Sequence, residues 1–253
     1  RDAERLAEAK RAIEAAGHAL TTYQADIADH AQCDALVARL VAEHGGVDIL
    51  VNNAGRSIRR ALATSFDRFH DFERTMAVNY FGAVRLTLGL LPGMTAKRRG
   101  HVINISSIGV LTNAPRFSAY VASKAALEAF GRCAASEFAD LGIDFTTINM
   151  PLVKTPMIAP TRIYRHVPTL APEEAADLVL DAIVHRPARI ATRLGIFGQV
   201  LHALAPRVAL IIMNTTFRMF PDSAAARGTP EAEAVAPGPE LIALSNLMRG
   251  IHF

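Results

Sequence analysis

Apolar residues recur along this chain first at helical and then at strand spacing, and the two alternate. Between residues 2 and 16, Leu6, Ala9, Ile13 and Ala16 share one helical face, and Gly17 ends the run. Residues 18–24 read as a strand leading to Asp26. A second helix is expected over 29–44, with Cys33, Leu36, Val37, Leu40 and Val41 on its apolar side and Gly45-Gly46 as its stop. Val47-Asp48-Ile49-Leu50-Val51 is short and apolar, the pattern of a strand buried on both faces. A long helix is predicted over 66–91, stopped by Pro92-Gly93. His101–Ile105 predicts a further buried strand, 117–140 a helix, and Ile143–Asn149 another strand. After Pro151 the pattern loosens around Pro156, Pro160, Pro168 and Pro172. A helix then spans 173–185, with Glu173 and Glu174 in its first turn, where the helix dipole favours acids.

Strands alternating with helices predict βαβ units, hence an α/β fold with a doubly wound parallel sheet. The stretch 194–220 is strongly apolar but broken by Pro206-Arg207. Each half is shorter than the ~20 apolar residues that a membrane span needs. The expectation is a pair of amphipathic helices that cover a substrate cleft or lie on a membrane surface. Residues 221–240, rich in Ala, Pro, Gly and Glu, read as a linker, and 241–253 as a short docked helix. The organisation expected is an α/β domain over 1–190, an apolar helical extension over 191–220, and a flexible linker and tail over 221–253.

Composition changes this picture little. Hydrophobic residues make up 51% of the 253 and charged residues 20%, enough for one sizeable core. A net charge of +3 without a dense basic run argues against nucleic acid as a partner. Cys33 and Cys133 form neither a metal nor a redox pair; both are expected as buried thiols, as suits a reducing cytoplasm. The chain opens with Arg1, Asp2, Glu4 and Arg5 rather than an apolar signal segment, and not with Met, so a piece of a longer protein is expected.

Four local signals carry chemistry. Asn52-Asn53-Ala54-Gly55 ends the strand at 47–51, and Ser106-Ser107 ends the strand at 101–105. Asn79 lies mid-helix in Met76-Ala77-Val78-Asn79, and Tyr120-Val121-Ala122-Ser123-Lys124 opens a helix 13 residues after Ser107. Open α/β sheets bind ligands beyond the carboxyl ends of their strands, so two separate segments deliver polar groups to one crevice. Tyr120 and Lys124, four apart, project from one helical face. A free phenol, with a pKa near ~10, is a poor base at neutral pH. A neighbouring ammonium lowers that value and makes Tyr120 a useful general acid/base. Ser107 would hydrogen-bond a substrate oxygen as charge develops on it. Asn79 sits where a helix could kink around a water linking Lys124 to solvent. A Tyr-x-x-x-Lys pair alone is commonly a solvated helix face; it is the order of the four signals that gives it weight.

These residues resemble the short-chain dehydrogenase/reductase family over about residues 1–190. The resemblance implies a Rossmann-like fold and a Ser107–Tyr120–Lys124 triad extended by Asn79, with hydride transfer to or from NAD(P). It places Asp26 and Ile27 beside the adenine ring, and Asn53, Ala54 and Gly55 beside the adenosine ribose. Tyr120 and Lys124 also meet the cofactor, and Val153 and Thr155 meet the nicotinamide carboxamide. Arg1 matches a position that meets the 2′-phosphate in NADP-preferring members, so NADP(H) is favoured, with NAD(H) as the alternative. A homo-oligomer joined through the helices at 66–91 and 117–140 is implied as well. Two departures stand out. Leu152 follows Pro151 where the family has Gly, and the family's first strand and Gly-x-x-x-Gly-x-Gly turn are missing from this sequence. The runs 151–161, 182–187 and 219–223 further resemble the reductase domain of bacterial fatty acyl-CoA reductases. The expected reaction is therefore on a carbonyl or hydroxyl of an apolar small molecule. The alternatives are a 3-oxoacyl thioester reductase or hydroxysteroid-type dehydrogenase, and a non-catalytic fragment that holds no cofactor.

Overall fold

The structure, a computed structural model, describes residues 2–158 and 168–219. Arg1, the Ala159–Thr161 part of the proline loop, Phe220 and the expected linker and tail lie outside the described residues. Helix α1 (Ala3–Ala15) begins where the Asp2 carboxylate accepts from the amides of Glu4 and Arg5. It buries no residue, so its apolar stripe stays outside the core. Helix α2 (His30–His44) opens on the Asp29 carboxylate, which accepts from the amides of Ala31 and Gln32, and closes on Gly45 in the left-handed region.

The strand expected over 18–24 does not form among the described residues. A strand exists through its ladder, and no ladder forms along this segment. Side chains hold it instead. The Tyr23 hydroxyl donates to Glu43 at 2.6 Å, and the Arg39 guanidinium lies 4.7 Å from the Tyr23 ring centre.

Among the described residues four strands pair, all parallel, in the order β1 (Ile49–Asn52), β2 (Gly100–Ile105), β3 (Ile143–Asn149) and β4 (Arg189–Ala191). Strand β4 was not anticipated, because Arg-Ile-Ala is too short to show a period. Helix α3 (Phe69–Met76), a π-helical turn (Ala77–Gly82) and helix α4 (Ala83–Lys97) link β1 to β2. Helices α5 (Ile108–Thr112) and α6 (Ser118–Phe138) link β2 to β3, and α7 (Pro172–His185) links β3 to β4. One sheet face packs Val102 and Phe145 against Leu91, Met94 and Ala134 of α4 and α6. The other packs Ile103, Ile105 and Ile148 against Ala182, Leu178 and Val179 of α7. Helices on both faces make the sheet doubly wound, as the alternation implied.

Pro92 does not stop α4, which runs on to Lys97 and closes on Arg98 at φ 47°. Proline forfeits one ladder bond. The nearly complete burial of Leu91 and Met94 on either side of it, worth about 2 kcal/mol each, outweighs that loss. Cys133 is exposed rather than buried, unlike Cys33. It lies off the stripe of Leu127, Gly131 and Ala134 that α6 turns inward. The apolar C-terminal stretch divides into α8 (Arg193–Leu204) and α9 (Pro206–Met219), as its proline predicted. No described helix is long and apolar enough to cross a membrane.

Gly82 closes the π-helical turn against the backbone of Ile27. A Cβ there would stand 2.4 Å from the Ile27 carbonyl oxygen. Gly82→Ala is expected to cost about 2 kcal/mol, the scale of overpacking against rigid atoms, and to push Ile27 outward. Denaturant unfolding of wild type and variant checks this; an unchanged midpoint would mean that the contact is soft.

Candidate active site

The carboxyl ends of β1, β2 and β3 lie on one edge of the sheet, because the three strands are parallel and in register, with Asn52 opposite Asn104 and Ile105 opposite Ile148. Ser107 follows β2 in extended conformation and caps α5, its hydroxyl accepting from the Gly109 amide at 3.1 Å. Tyr120 stands in the first turn of α6, with the Ser107 hydroxyl near enough to its phenol to favour the ionised form. Lys124, one turn further on, is 3% exposed, and its ammonium donates to the Ile105 carbonyl at 2.7 Å. The structure thus brings Ser107, Tyr120 and Lys124 together, two of them on one helix that grips the end of β2.

Asn79 sits in the middle of the π-helical turn and is 1% exposed. Its carboxamide oxygen accepts from the Arg56 amide at 2.7 Å, and its nitrogen donates to the Arg56 carbonyl and to Ser123 Oγ, both at 2.9 Å. The expected break in the helix is present, but it is the Arg56 backbone and Ser123 that bind the side chain. A π turn widens the helix and releases groups from the regular ladder, and such turns are frequent at functional sites. Ser123 was missed as a site residue, although it lies within the Tyr120–Lys124 run; its hydroxyl also donates to the Tyr120 carbonyl at 2.7 Å.

The electrostatics correct one expectation. The Tyr120 phenol is pushed up from its ordinary value, not down: burial raises it, and the Ser107 hydrogen bond lowers it by less. Burial also lowers the Lys124 ammonium, to about 8. Both groups are withdrawn from water, and the ammonium is committed to the Ile105 carbonyl, so burial rather than charge attraction sets the phenol.

Gly55 borders both Lys124 and Asn79. A Cβ there would lie 3.4 Å from Lys124 Nζ and 3.5 Å from Asn79 Oδ1. Asn53 and Ala54 are exposed on the same turn. Asp29 takes the α2 cap, while Asp26 shapes its own turn, its carboxylate accepting from the Ala28 amide at 3.0 Å. Ile27 is held by Gly82 and by the Cys33 thiol, which donates to its carbonyl at 3.3 Å. Val153 and Thr155 lie on the loop after β3. Val153 bridges to Leu170, and the Thr155 hydroxyl donates to the Val153 carbonyl at 3.4 Å. Leu152 accepts from the Leu170 amide at 2.8 Å, an ordinary extended contact that needs no glycine. Arg1 lies outside the described residues. The open strand edge, the small turn at Gly55 and the buried ammonium behind it fit the ribose side of a dinucleotide.

A cavity of about 460 Å³ opens beside the start of α6, lined by Ala61, Leu62, Pro115, Val121 and Phe217 among others. Val121 follows Tyr120 directly. Phe217 of α9 forms one wall, and the Arg116 guanidinium lies 3.8 Å from its ring centre and donates to its carbonyl at 2.8 Å.

The sequence profile of the short-chain dehydrogenases matches residues 1–165, well over half of the chain. The chain belongs to the short-chain dehydrogenase family. This short-chain dehydrogenase/reductase is 57% identical over 231 residues to a fatty acyl-CoA reductase of Acinetobacter baylyi, covering 91% of the chain and 78% of the relative. It is 47% identical over 190 residues to a fatty acyl-CoA reductase of Mycobacterium tuberculosis, covering 75% of the chain but only 65% of that relative. A crystal structure of a short-chain dehydrogenase from Streptomyces avermitilis superposes with a TM-score of 0.70 at 28% identity, over 86% of each chain. The short-chain dehydrogenase/reductase is an oxidoreductase with a Rossmann-like fold, and NAD(P) is the cofactor of its family.

Proposed function

We propose that this enzyme reduces the carbonyl of a long apolar substrate, a fatty acyl-CoA or a fatty aldehyde, with NADPH. The observation that carries the reading is the largely apolar cavity walled by Leu62, Val121 and Phe217, directly beside the helix turn that bears Tyr120. Two relatives named as fatty acyl-CoA reductases support it. An acyl chain gains about 0.8 kcal/mol for each methylene that it buries, so an apolar wall next to the start of α6 favours such substrates.

Bound NADPH supplies the hydride. Asp26, Ile27 and the Asn53–Gly55 turn would hold the adenosine end, Lys124 and Tyr120 the nicotinamide ribose, and Val153 and Thr155 the carboxamide. The Ser107 hydroxyl orients the carbonyl oxygen and stabilises its growing charge, and Tyr120 gives that oxygen a proton. Lys124 keeps the ribose in place, and Asn79 fixes the turn at Arg56 that closes the site behind it. Residues 1–190 form the catalytic domain, and 191–220 its apolar cover, which also suits contact with a membrane surface. The cover exposes Phe197, Leu204, Leu210 and Ile211. Phe66, Phe69, Phe81 and Leu88 are exposed on and beside the helices at 66–91, which supports a homo-oligomer through that face.

Cofactor oxidation by the full-length protein, with a panel of acyl-CoAs and aldehydes of increasing length, tests the reading. Turnover is expected to rise with chain length and to be faster with NADPH than with NADH. Preference for short 3-oxoacyl thioesters or for steroids would replace the substrate assignment, and no turnover of any carbonyl would remove the enzymatic one.

A further inference from the structure

Helix α6 touches the end of β2 three times, at intervals of one turn. Tyr120 meets Ser107, Lys124 donates to the Ile105 carbonyl, and Glu128 accepts from the hydroxyl of Ser106. Residues four apart on the helix therefore grip three consecutive residues of the strand end. Glu128 is 4% exposed, although its sequence context is that of an ordinary helix-surface acid. Its Oε1 also accepts from Asn149 Nδ2 at 2.6 Å, and the same nitrogen reaches the Ser107 carbonyl at 3.3 Å. Arg132, largely in solvent, lies 3.6 Å from Oε2.

A carboxylate buried this deeply is costly unless its partners satisfy it, and here both donors come from segments that end at the catalytic edge. Ser106 belongs to the turn that carries Ser107, and Asn149 ends β3. The Ser106 amide also donates to the Ile148 carbonyl at 2.8 Å, so the turn is tied to β3 by backbone and by side chain. Without Glu128, Ser106 Oγ and Asn149 Nδ2 lose their common acceptor, and on the α6 side the turn keeps only the Lys124 bond to Ile105 and the Tyr120 contact with Ser107. Misplacement of a catalytic group by ~1 Å can cost about a hundredfold in rate.

We propose that Glu128 is a positioning residue: it locks the Ser106–Ser107 turn onto α6 and so fixes the Ser107 hydroxyl at the Tyr120 phenol. It touches neither substrate nor cofactor. Glutamine keeps a carbonyl oxygen with two lone pairs and can still accept from both donors, whereas alanine cannot.

The test compares E128A, E128Q and Ser106→Ala in the full-length protein. E128A is expected to lower kcat by about ten- to a hundredfold while KM for the cofactor stays within about twofold. E128Q is expected to stay within about threefold of wild type. A second measurement is independent of turnover. Absorbance titration of tyrosine, with each protein compared with its own Tyr120→Phe partner, isolates one of the four tyrosines. Tyr120 should ionise at higher pH in E128A, because the Ser107 hydrogen bond that favours the phenolate is lost, and at the wild-type pH in E128Q. The groups acting on that phenol are its apolar surroundings and Ser107, with Lys124 one turn along its own helix.

E128A with wild-type kcat and wild-type Tyr120 ionisation would overturn the proposal, even if it melts earlier, since that is a purely structural role. E128Q as impaired as E128A would overturn it too, because charge rather than hydrogen bonding would then matter. If E128A does not fold, Ser106→Ala decides: it cuts the same link by one oxygen atom, and unchanged kcat and ionisation in it refute the role. The inference rests on Tyr120 as the proton donor. Full activity of Tyr120→Phe would sink that reading by itself, while the titration still judges Glu128.

Discussion

Tyr120→Phe is expected to lower kcat by about a thousandfold while leaving cofactor affinity within about twofold. The change removes one oxygen atom and keeps the ring that packs at the head of α6. General acid catalysis by a positioned side chain contributes about 10²–10⁴-fold, and under the proposed mechanism that contribution is lost with the hydroxyl. Ser107 keeps its place through the Gly109 amide and loses only its bond to the phenol. Stability should therefore fall by about 1 kcal/mol, the worth of one hydrogen bond. Because burial raises the phenol above its ordinary value, Tyr120 stays protonated through neutral pH, as a proton donor must. Reduction should hold steady with rising pH until the phenol ionises and then decline, while oxidation of the alcohol should rise over the same interval. Steady-state kinetics in both directions and cofactor titration check the prediction; full activity in the variant would remove Tyr120 from the mechanism.

The second large effect concerns Lys124. In the absence of cofactor its ammonium is buried, and its pKa lies at about 8 rather than 10.5. The folded state thus binds fewer protons than the unfolded state between those two values. Below pH 8 both states are protonated, and the full burial penalty is paid. As pH rises from 8 towards 10.5 the folded form sheds its proton first, so stability increases with pH. A shift of this size corresponds to about 3 kcal/mol, and a side chain 3% exposed needs no discount for solvent screening. Lys124→Met removes this dependence. Wild type should therefore gain about 3 kcal/mol over the variant between pH 7 and about pH 11, with other alkaline titrations cancelling in the difference. Denaturant unfolding of the pair across that range measures it. A constant gap would show that the ammonium is solvated, and with it that Lys124 is not held at Ile105.

Much of this was legible in the sequence, for reasons that particular residues make plain. Val102, Ile103 and Ile148 are buried on both sheet faces, so their strands appear as unbroken apolar runs. Asp29 and Gly45 bracket α2 with cap chemistry that needs no tertiary partner. Tyr120, Ser107 and Asn79 could be assembled because parallel strands place their ends on one edge. What stayed hidden depends on contacts distant in sequence. Residues 18–24 carry strand-like residues but no ladder, and Pro92 is overruled by the burial of its neighbours. Glu128 looks like one more helix-surface acid until Ser106 and Asn149 are seen to converge on it. The direction of the phenol's shift was misjudged because helical spacing tells which face two groups share, not how dry that face is.

The π-helical turn between α3 and α4 stores one residue more than a regular α repeat and absorbs it locally. Deleting one residue between 77 and 82 would heal the backbone ladder and leave α3 and α4 facing nearly as they do now, with Asp71 and Thr75 still buried. What the shorter chain would lose is the widened turn itself, and with it the hold of Asn79 on the Arg56 backbone. A locally better-bonded helix would thus keep its packing and lose the one place where it reaches across to the turn at the strand edge.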